Sequence, residues 1–369
     1  MKILILSNYA NGLYLFRKEI LLAFLEKGWE TVVGVPTDEN CRKLEELGVR
    51  VIPTEFERRG NNPIHDGKLF VDYFGLLGKE KPDVVLTYTI KPNLYGGLAC
   101  RLRKIPYLVN ITGLGTALEQ PGMLAKILLK FYRLSAGRAS CVFFQNRGNR
   151  EFMTKRGIGV KRNRLLPGSG VNLEEHPFSP YPSEKKGIVL LAVLRIMKDK
   201  GIGEYLEAVR RIAGEHPDVR FTLVGEYEEE TRGIYEPKIE ELSKKGVLRY
   251  LGHIDNVPQV MAESHVIVHP SYHEGLSNVL LEAAACGRPV LASDVPGCRE
   301  TLRENDTGLL FAPRDTESLV ETIRAFLQLT EEERREMGRQ GREYVEHTFD
   351  RRKVLEAYFE EIQKAGCGQ

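Results

Sequence analysis

What most constrains this chain is a series of short β-branched runs alternating with stretches of helical periodicity, a pattern that runs, breaks off and begins again. Strands joined through crossover helices must lie parallel, and a parallel sheet must be covered on both faces, so the pattern selects doubly wound α/β layers over bundles or sandwiches. The first series predicts strands over 2–7, 31–35, 49–53, 83–89, 106–112, 141–146 and 164–167. The second predicts them over 188–193, 220–225, 248–252, 266–270, 289–294 and 308–311. Between the two lies Phe178-Ser-Pro-Tyr-Pro-Ser-Glu-Lys-Lys-Gly187, whose prolines and charges continue neither strand nor helix. We therefore expect two Rossmann-like, doubly wound domains facing across a cleft, one over 1–178 and one over 187–347. The amphipathic segment 351–364 is expected to pack back on the first. A chain of 369 residues exceeds what one core usually supports, which agrees with two.

Several functional classes drop out on composition. The cysteines Cys41, Cys100, Cys141, Cys286, Cys298 and Cys367 are scattered singly, without the close pairs of a zinc site or redox dithiol, and read as free thiols. The opening run 3–6 is too short for a signal-peptide core, and no apolar stretch approaches the roughly 18 residues that span a bilayer. The expectation is a cytoplasmic protein.

Charge is unevenly shared. Residues 1–180 carry an excess of about ten basic over acidic side chains and the remainder an acidic excess of about eight. Between Lys91 and Arg164 about fifteen basic residues face only Glu119 and Glu151, so this surface attracts something anionic. Within it, 121–134 can form a cationic amphipathic helix suited to an anionic membrane face. A nucleic-acid partner is not expected, because no recognition module and no array of stacking aromatics is present.

In doubly wound sheets ligands sit at the carboxyl ends of strands. After the first strand, Ser7-Asn-Tyr-Ala-Asn11-Gly12-Leu-Tyr leads into a helix expected from about Phe16, placing Gly12 and backbone amides where an anion would bind. In the second series, Arg195 and Lys200 follow the strand 188–193 and could clamp a diphosphate from two sides. Glu274 follows another strand, with Gly275, Leu276 and Ser277 offering amides at the start of the helix that carries Glu282. Two carboxylates about eight residues apart can accept hydroxyl protons from separate parts of a long ligand. The turn around Glu282 is otherwise apolar, and a carboxylate on such a helix needs a partner. His253, after the strand 248–252, could lie beside a nucleobase. His269 and His273 invite a metal, but Pro270 interrupts any helix between them and no His-Glu-x-x-His order occurs. No metal and no cofactor is expected.

At these residues the sequence resembles the retaining glycosyltransferase family 4, of the two-domain GT-B fold, over essentially the whole chain. The resemblance rests on Glu274 and Glu282 set in Pro-Ser-x-x-Glu-Gly-Leu-Ser-Asn-Val-x-Leu-Glu-Ala, on Arg195 with Lys200, on Gly225-Glu226 and on Leu251-Gly-His-Ile. Gly287-Arg-Pro-Val and Thr307-Gly-Leu-Leu add to it. It implies that Arg195 and Lys200 bind the donor diphosphate, that Glu274 meets the donor sugar, and that Glu282 holds the ribose. It further implies that the amides of Gly275, Leu276 and Ser277 and the approach of Gly12 serve the phosphates, with Gly225 and the turn His253-Ile254 near the base. Relatives in the family are thought to proceed by front-face attack, the departing phosphate taking the acceptor's proton, and no obvious nucleophile with a general base is seen in this chain.

Two departures concern the acceptor side. Asn11-Gly12 stands where many relatives have a double glycine, and Thr89-Ile-Lys91-Pro-Asn93 stands where they have a histidine, so Lys91 or Asn93 is expected to replace it. That segment and Asn110-Ile-Thr112-Gly-Leu-Gly115 look like those of bacterial enzymes that build capsule, O-antigen or protein-linked glycans on a polyprenyl diphosphate. The resemblance implies a UDP-hexose or UDP-N-acetylhexosamine donor, Glu274, Arg195 and Lys200 as the catalytic residues, and a lipid-linked or glycan acceptor met by Asn11, Lys91, Asn93, Asn110 and Thr112 at the inner face of the cell membrane. The rivals are a nucleotide-sugar epimerase or hydrolase of the same fold, which would turn over donor alone, and a non-catalytic nucleotide-sugar-binding subunit.

Overall fold

A computed structural model describes residues 1–54, 63–114, 118 and 122–366. Glu119, Gly115, Pro121 and Cys367, named above in the basic stretch, the acceptor segment, the amphipathic helix and the cysteine inventory, lie outside the described residues. Two compact units form. One holds Met1–Ser169 with the C-terminal segment from Arg352, the other Gly170–Arg351.

The first unit is built on a parallel sheet of seven strands: β1 (Lys2–Leu6), β2 (Glu30–Val35), β3 (Arg50–Pro53), β4 (Val84–Tyr88), β5 (Tyr107–Ile111), β6 (Cys141–Phe144) and β7 (Asn163–Leu165). Their order is β3-β2-β1-β4-β5-β6-β7, so the winding reverses between β1 and β4. The second unit has β8 (Val189–Val193), β9 (Arg220–Val224), β10 (Leu248–Tyr250), β11 (Val266–His269), β12 (Val290–Ser293) and β13 (Gly308–Phe311), ordered β10-β9-β8-β11-β12-β13, and reverses between β8 and β11. Every predicted strand is present, with its ends within two residues of those expected.

Continuous apolar runs make sense in such sheets because successive side chains serve opposite layers. Ile3 and Ile5 pack on one face with Phe24, Leu86 and Phe143, while Leu4 and Leu6 pack on the other with Val32, Val85 and Val109. In the second unit Leu190 and Ala192 join one cluster and Leu191 the other. The C-terminal helix Arg351–Gly366 places Val354, Ala357, Tyr358 and Ile362 in the same core as Ile3 and Ile5. Val354 and Ile362 are fully buried, worth roughly 1.5–3 kcal/mol each.

The segment 178–187 is not the domain junction. The Phe178 ring lies against Gly287, and Arg288 donates to the carbonyls of Ser179 and Pro180 at 2.9 and 2.8 Å, strapping this stretch onto the second unit. Val171 already belongs there: its amide donates to Phe349 O at 2.9 Å, and it accepts from the Arg351 amide at 3.1 Å. Proline and charge forbid regular structure without forbidding a packed path, so the division falls at Ser169/Gly170.

Candidate donor site at the switch point of the second sheet

Lys200 and Glu274 follow β8 and β11, the two strands between which the second sheet reverses, and two glycines let their loops close on each other. Gly201 has φ +69°, and a Cβ there would lie 2.1 Å from Pro270 O. Such an approach and such a backbone admit only glycine. On the far side a Cβ at Gly297 would lie 2.4 Å from Glu274 O. The Tyr272 amide donates to Asp199 O at 3.0 Å, tying the first two loops together.

Held this way, the Glu274 carboxylate accepts from Lys200 Nζ at 2.6 Å and from His269 Nε2 at 3.0 Å. With a carboxylate as acceptor, Nε2 carries the proton. Ser277 Oγ lies 3.1 Å from the same nitrogen and accepts from the Leu280 amide, capping the helix Asn278–Ala285. Burial alone would push the Glu274 carboxyl up, but the Lys200 charge and the His269 hydrogen bond outweigh it and hold the group well below the ordinary carboxylate range. It is an anion with fixed orientation, shaped to accept hydroxyl protons.

Glu282 differs. Burial pushes its carboxyl up, opposed in part by the charges of His176 and Arg351. Among the described residues no side chain or amide hydrogen-bonds its carboxylate. An unpartnered carboxylate on a largely buried helix is a costly feature that a ligand hydroxyl would relieve.

Not every expected donor contact is assembled. The Ser277 amide is committed to Gly297 O at 2.9 Å, because the β12 loop that makes room for Glu274 also needs its carbonyl satisfied. Of the three expected phosphate donors, Leu276 keeps an N–H with no partner among the described residues. Arg195 does not share a partner with Lys200. Half-exposed, it pairs with Glu228. Gly225 is structural: its amide donates to Gly252 O at 2.8 Å and its carbonyl accepts from Tyr250 Oη at 2.9 Å. His253 is exposed, with Nδ1 3.4 Å from Glu226 and Nε2 3.7 Å from Asp255, and Ile254 is partly buried against the core cluster that holds Val224 and Met261. Among the described residues no three His, Cys, Asp or Glu side chains converge as a metal site would require.

Sequence reasoning set His269 aside as a failed metal ligand and overlooked its real place. Its signal was available: a polar residue closing the fully buried strand β11 just before the loop that holds Glu274.

The acceptor-side expectations divide. Helix Ala10–Glu26 begins six residues earlier than expected, because Asp38 Oδ2 accepts from the Ala10 amide at 3.2 Å and anchors its first turn. Asn11 and Gly12 therefore sit on that turn, with the Tyr9 ring over Gly12. Lys91 pairs with Asp66 at 2.8 Å. Asn93 and Asn110 are corrections. Both are buried, and their amides lock strands: Thr87 Oγ1 donates to Asn93 Oδ1 at 2.8 Å, Asn93 Nδ2 to Asn110 O at 2.9 Å, and Asn110 Nδ2 to Thr87 O at 3.1 Å. Tyr358 Oη donates to Asn110 Oδ1. Each amide therefore already bonds through both its oxygen and its nitrogen, away from solvent. Thr112 is half-buried, directly after β5.

Comparison with known proteins agrees with this geometry. Residues 174–344 match the family model of glycosyl transferases group 1, and residues 18–168 that of the glycosyl transferase 4-like domain. The chain is 30% identical, over 89% of its length and 90% of the relative's, to an N,N'-diacetylbacillosaminyl-diphospho-undecaprenol alpha-1,3-N-acetylgalactosaminyltransferase of Campylobacter jejuni. It is 26% identical, over 70% of each chain, to a UDP-Gal:alpha-D-GlcNAc-diphosphoundecaprenol alpha-1,3-galactosyltransferase of Escherichia coli. Among solved structures, Anabaena Alr3699/HepE in complex with UDP superimposes with a TM-score of 0.81 at 18% identity, over 99% of this chain and 100% of that one.

Proposed function

This chain belongs to the group 1, 4-like glycosyl transferases of GT-B fold, and from that premise we propose that it moves a hexose or N-acetylhexosamine from a UDP-sugar to a polyprenyl-diphosphate-linked glycan. The observation that carries the donor half is the Lys200–Glu274–His269 cluster, a fixed anion for sugar hydroxyls beside a cation for the diphosphate, with Glu282 unpartnered for the ribose. As the sugar leaves, negative charge grows on the diphosphate. Lys200 and a released Arg195 would stabilise it, so no metal is needed. Family resemblance supports retention of the anomeric configuration.

The acceptor half is supported by two undecaprenyl-diphosphate-dependent relatives and by the helix Met123–Ala136. Its inner face buries Ala125, Tyr132 and Ala136, while Met123, Leu124, Ile127 and Leu134 stay exposed beside Lys126, Lys130 and Arg133. Such a face suits contact with an anionic membrane surface. No helix among the described residues is long and apolar enough to cross a membrane.

The test is turnover of a UDP-sugar panel in chelator, with and without a short polyprenyl-diphosphate-linked glycan. Transfer should require the acceptor and survive chelation. Donor consumption without acceptor would instead identify an epimerase or hydrolase, and collapse in chelator would refute the metal-free reading.

A further inference from the structure

Among the buried arginines of the described residues, Arg351 donates to Gly170 O at 3.2 Å, and two others pin chain segments. Arg288 meets five backbone carbonyls, those of Ser179, Pro180, Met261, Ala262 and Gly287, and Arg334 takes Glu184 through two nitrogens together with carbonyls of its own unit. Both guanidiniums are fully used, and their purpose is to pin chain segments. Arg17 is different. Only 4% exposed, it donates Nη1 to Phe16 O at 2.7 Å, and its Nε has no partner. With its amide turned to satisfy both neighbours, Gln145 accepts from Arg17 Nη2 at 2.8 Å and donates to Thr112 O at 3.2 Å. No carboxylate among the described residues pairs with it. A buried cation without a counter-charge is expensive and is kept where an anion will arrive.

Its position says which anion site this is. Long side chains on a helix lean toward its N-terminus, so Arg17, in the helix that follows β1, reaches back to the carboxyl edge of the sheet. There its guanidinium lies 5.2 Å from the ring centroid of Tyr88, the last residue of β4. Gln145 stands just past β6 and Thr112 just past β5. The group thus sits where the first sheet reverses between β1 and β4, the place where open α/β sheets take ligands.

We propose that Arg17, oriented by Gln145 and by the face of Tyr88, forms an anion site at the switch point of the first unit that takes a phosphate or diphosphate group. Resting on the acceptor reading above, that group is the diphosphate of the lipid-linked acceptor. The guanidinium fork suits paired phosphoryl oxygens, and recognition there needs no contact with the sugar or the rest of the lipid.

The test titrates the full chain by calorimetry with inorganic pyrophosphate and with farnesyl diphosphate, both in saturating UDP so that the second unit's cations are occupied. Wild type should bind both, Arg17→Met should bind at least about tenfold more weakly, and Arg17→Lys should fall between, since it keeps the charge but loses the fork. UDP affinity measured alone should not change. Tighter binding of farnesyl diphosphate assigns a lipid-linked ligand, and equal binding assigns the free anion. Diphosphate affinity unchanged in a folded Arg17→Met protein, or no binding by wild type, overturns the site. Should Arg17→Met fail to fold, Gln145→Leu serves instead: a several-fold loss supports the site and no loss overturns it. Absence of UDP binding by wild type would sink the donor reading without affecting the diphosphate result.

Discussion

The two sheets have the same winding, yet their carboxyl edges are furnished in opposite ways. At the switch point of the second, Lys200 faces Glu274 with His269 behind them, and Glu282 has no hydrogen-bond partner among the described residues. At that of the first, neutral groups bond to neutral groups, Asn93 with Thr87 and Asn110, Asn110 with Tyr358, and Tyr358 with Tyr88 at 3.0 Å. Among the described residues the exceptions are the Lys91–Asp66 pair and Arg17, and of these Arg17 has no carboxylate beside it. The difference teaches that position at a strand end does not by itself make a residue a ligand. What matters is whether the protein has already satisfied it, since a buried polar group with all its bonds made gains nothing from binding.

The sharpest break of this contrast is Glu274→Ala. It should lower kcat by roughly 10²–10³-fold, the scale seen when one preorganised electrostatic contact is lost at a reacting centre, while the melting temperature of the first unit is unmoved. A loss below fivefold in a transfer assay would mean that the second edge is as structural as the first.

Next in size, Asn110→Ala leaves Tyr358 Oη and Thr87 O without their bonds and should cost about 2 kcal/mol of stability by urea unfolding. Acceptor KM in the folded protein should stay within about twofold. A large KM change with little loss of stability would return Asn110 to the acceptor site.

The smallest effect sharpens the comparison through pH. Because burial raises the Glu282 carboxyl, its charge destabilises the ligand-free fold above its folded-state pKa, and the penalty fades as pH falls through that value and the ordinary carboxylate range. Glu282→Gln should therefore melt about 2–4 °C higher at pH 7.5, taking about 1 kcal/mol relieved, and no higher at pH 4. Donor affinity should weaken in the same variant. Equal melting at both pH values would show that the carboxylate already has a partner.

Much of this was legible beforehand. Strand positions, and the placement of Lys200 and Glu274 past strand ends and of Glu282 on the helix that follows, could be read because periodicity and strand-end placement are local properties that survive any packing. The pairing of Arg195 with Glu228, the commitment of the Ser277 amide and the sealing of Asn93 and Asn110 were not legible. Each depends on a partner far away in sequence: Glu228 follows the next strand, Gly297 a third loop, and Tyr358 lies 248 residues from Asn110. The same holds for His269, which looked like half of a metal pair until the fold set it behind Glu274.

By itself, then, the sequence determined two parallel α/β layers, the edge of each where polar residues gather, and the family. Tertiary structure alone decided the domain division at Gly170, which of those polar residues still have a bond to give, and that Arg17 is a buried cation without a counter-charge among the described residues. Apolar patterning is written along the chain with a short period, whereas satisfaction of a hydrogen bond is a property of two groups that only folding brings within 3 Å or so of one another.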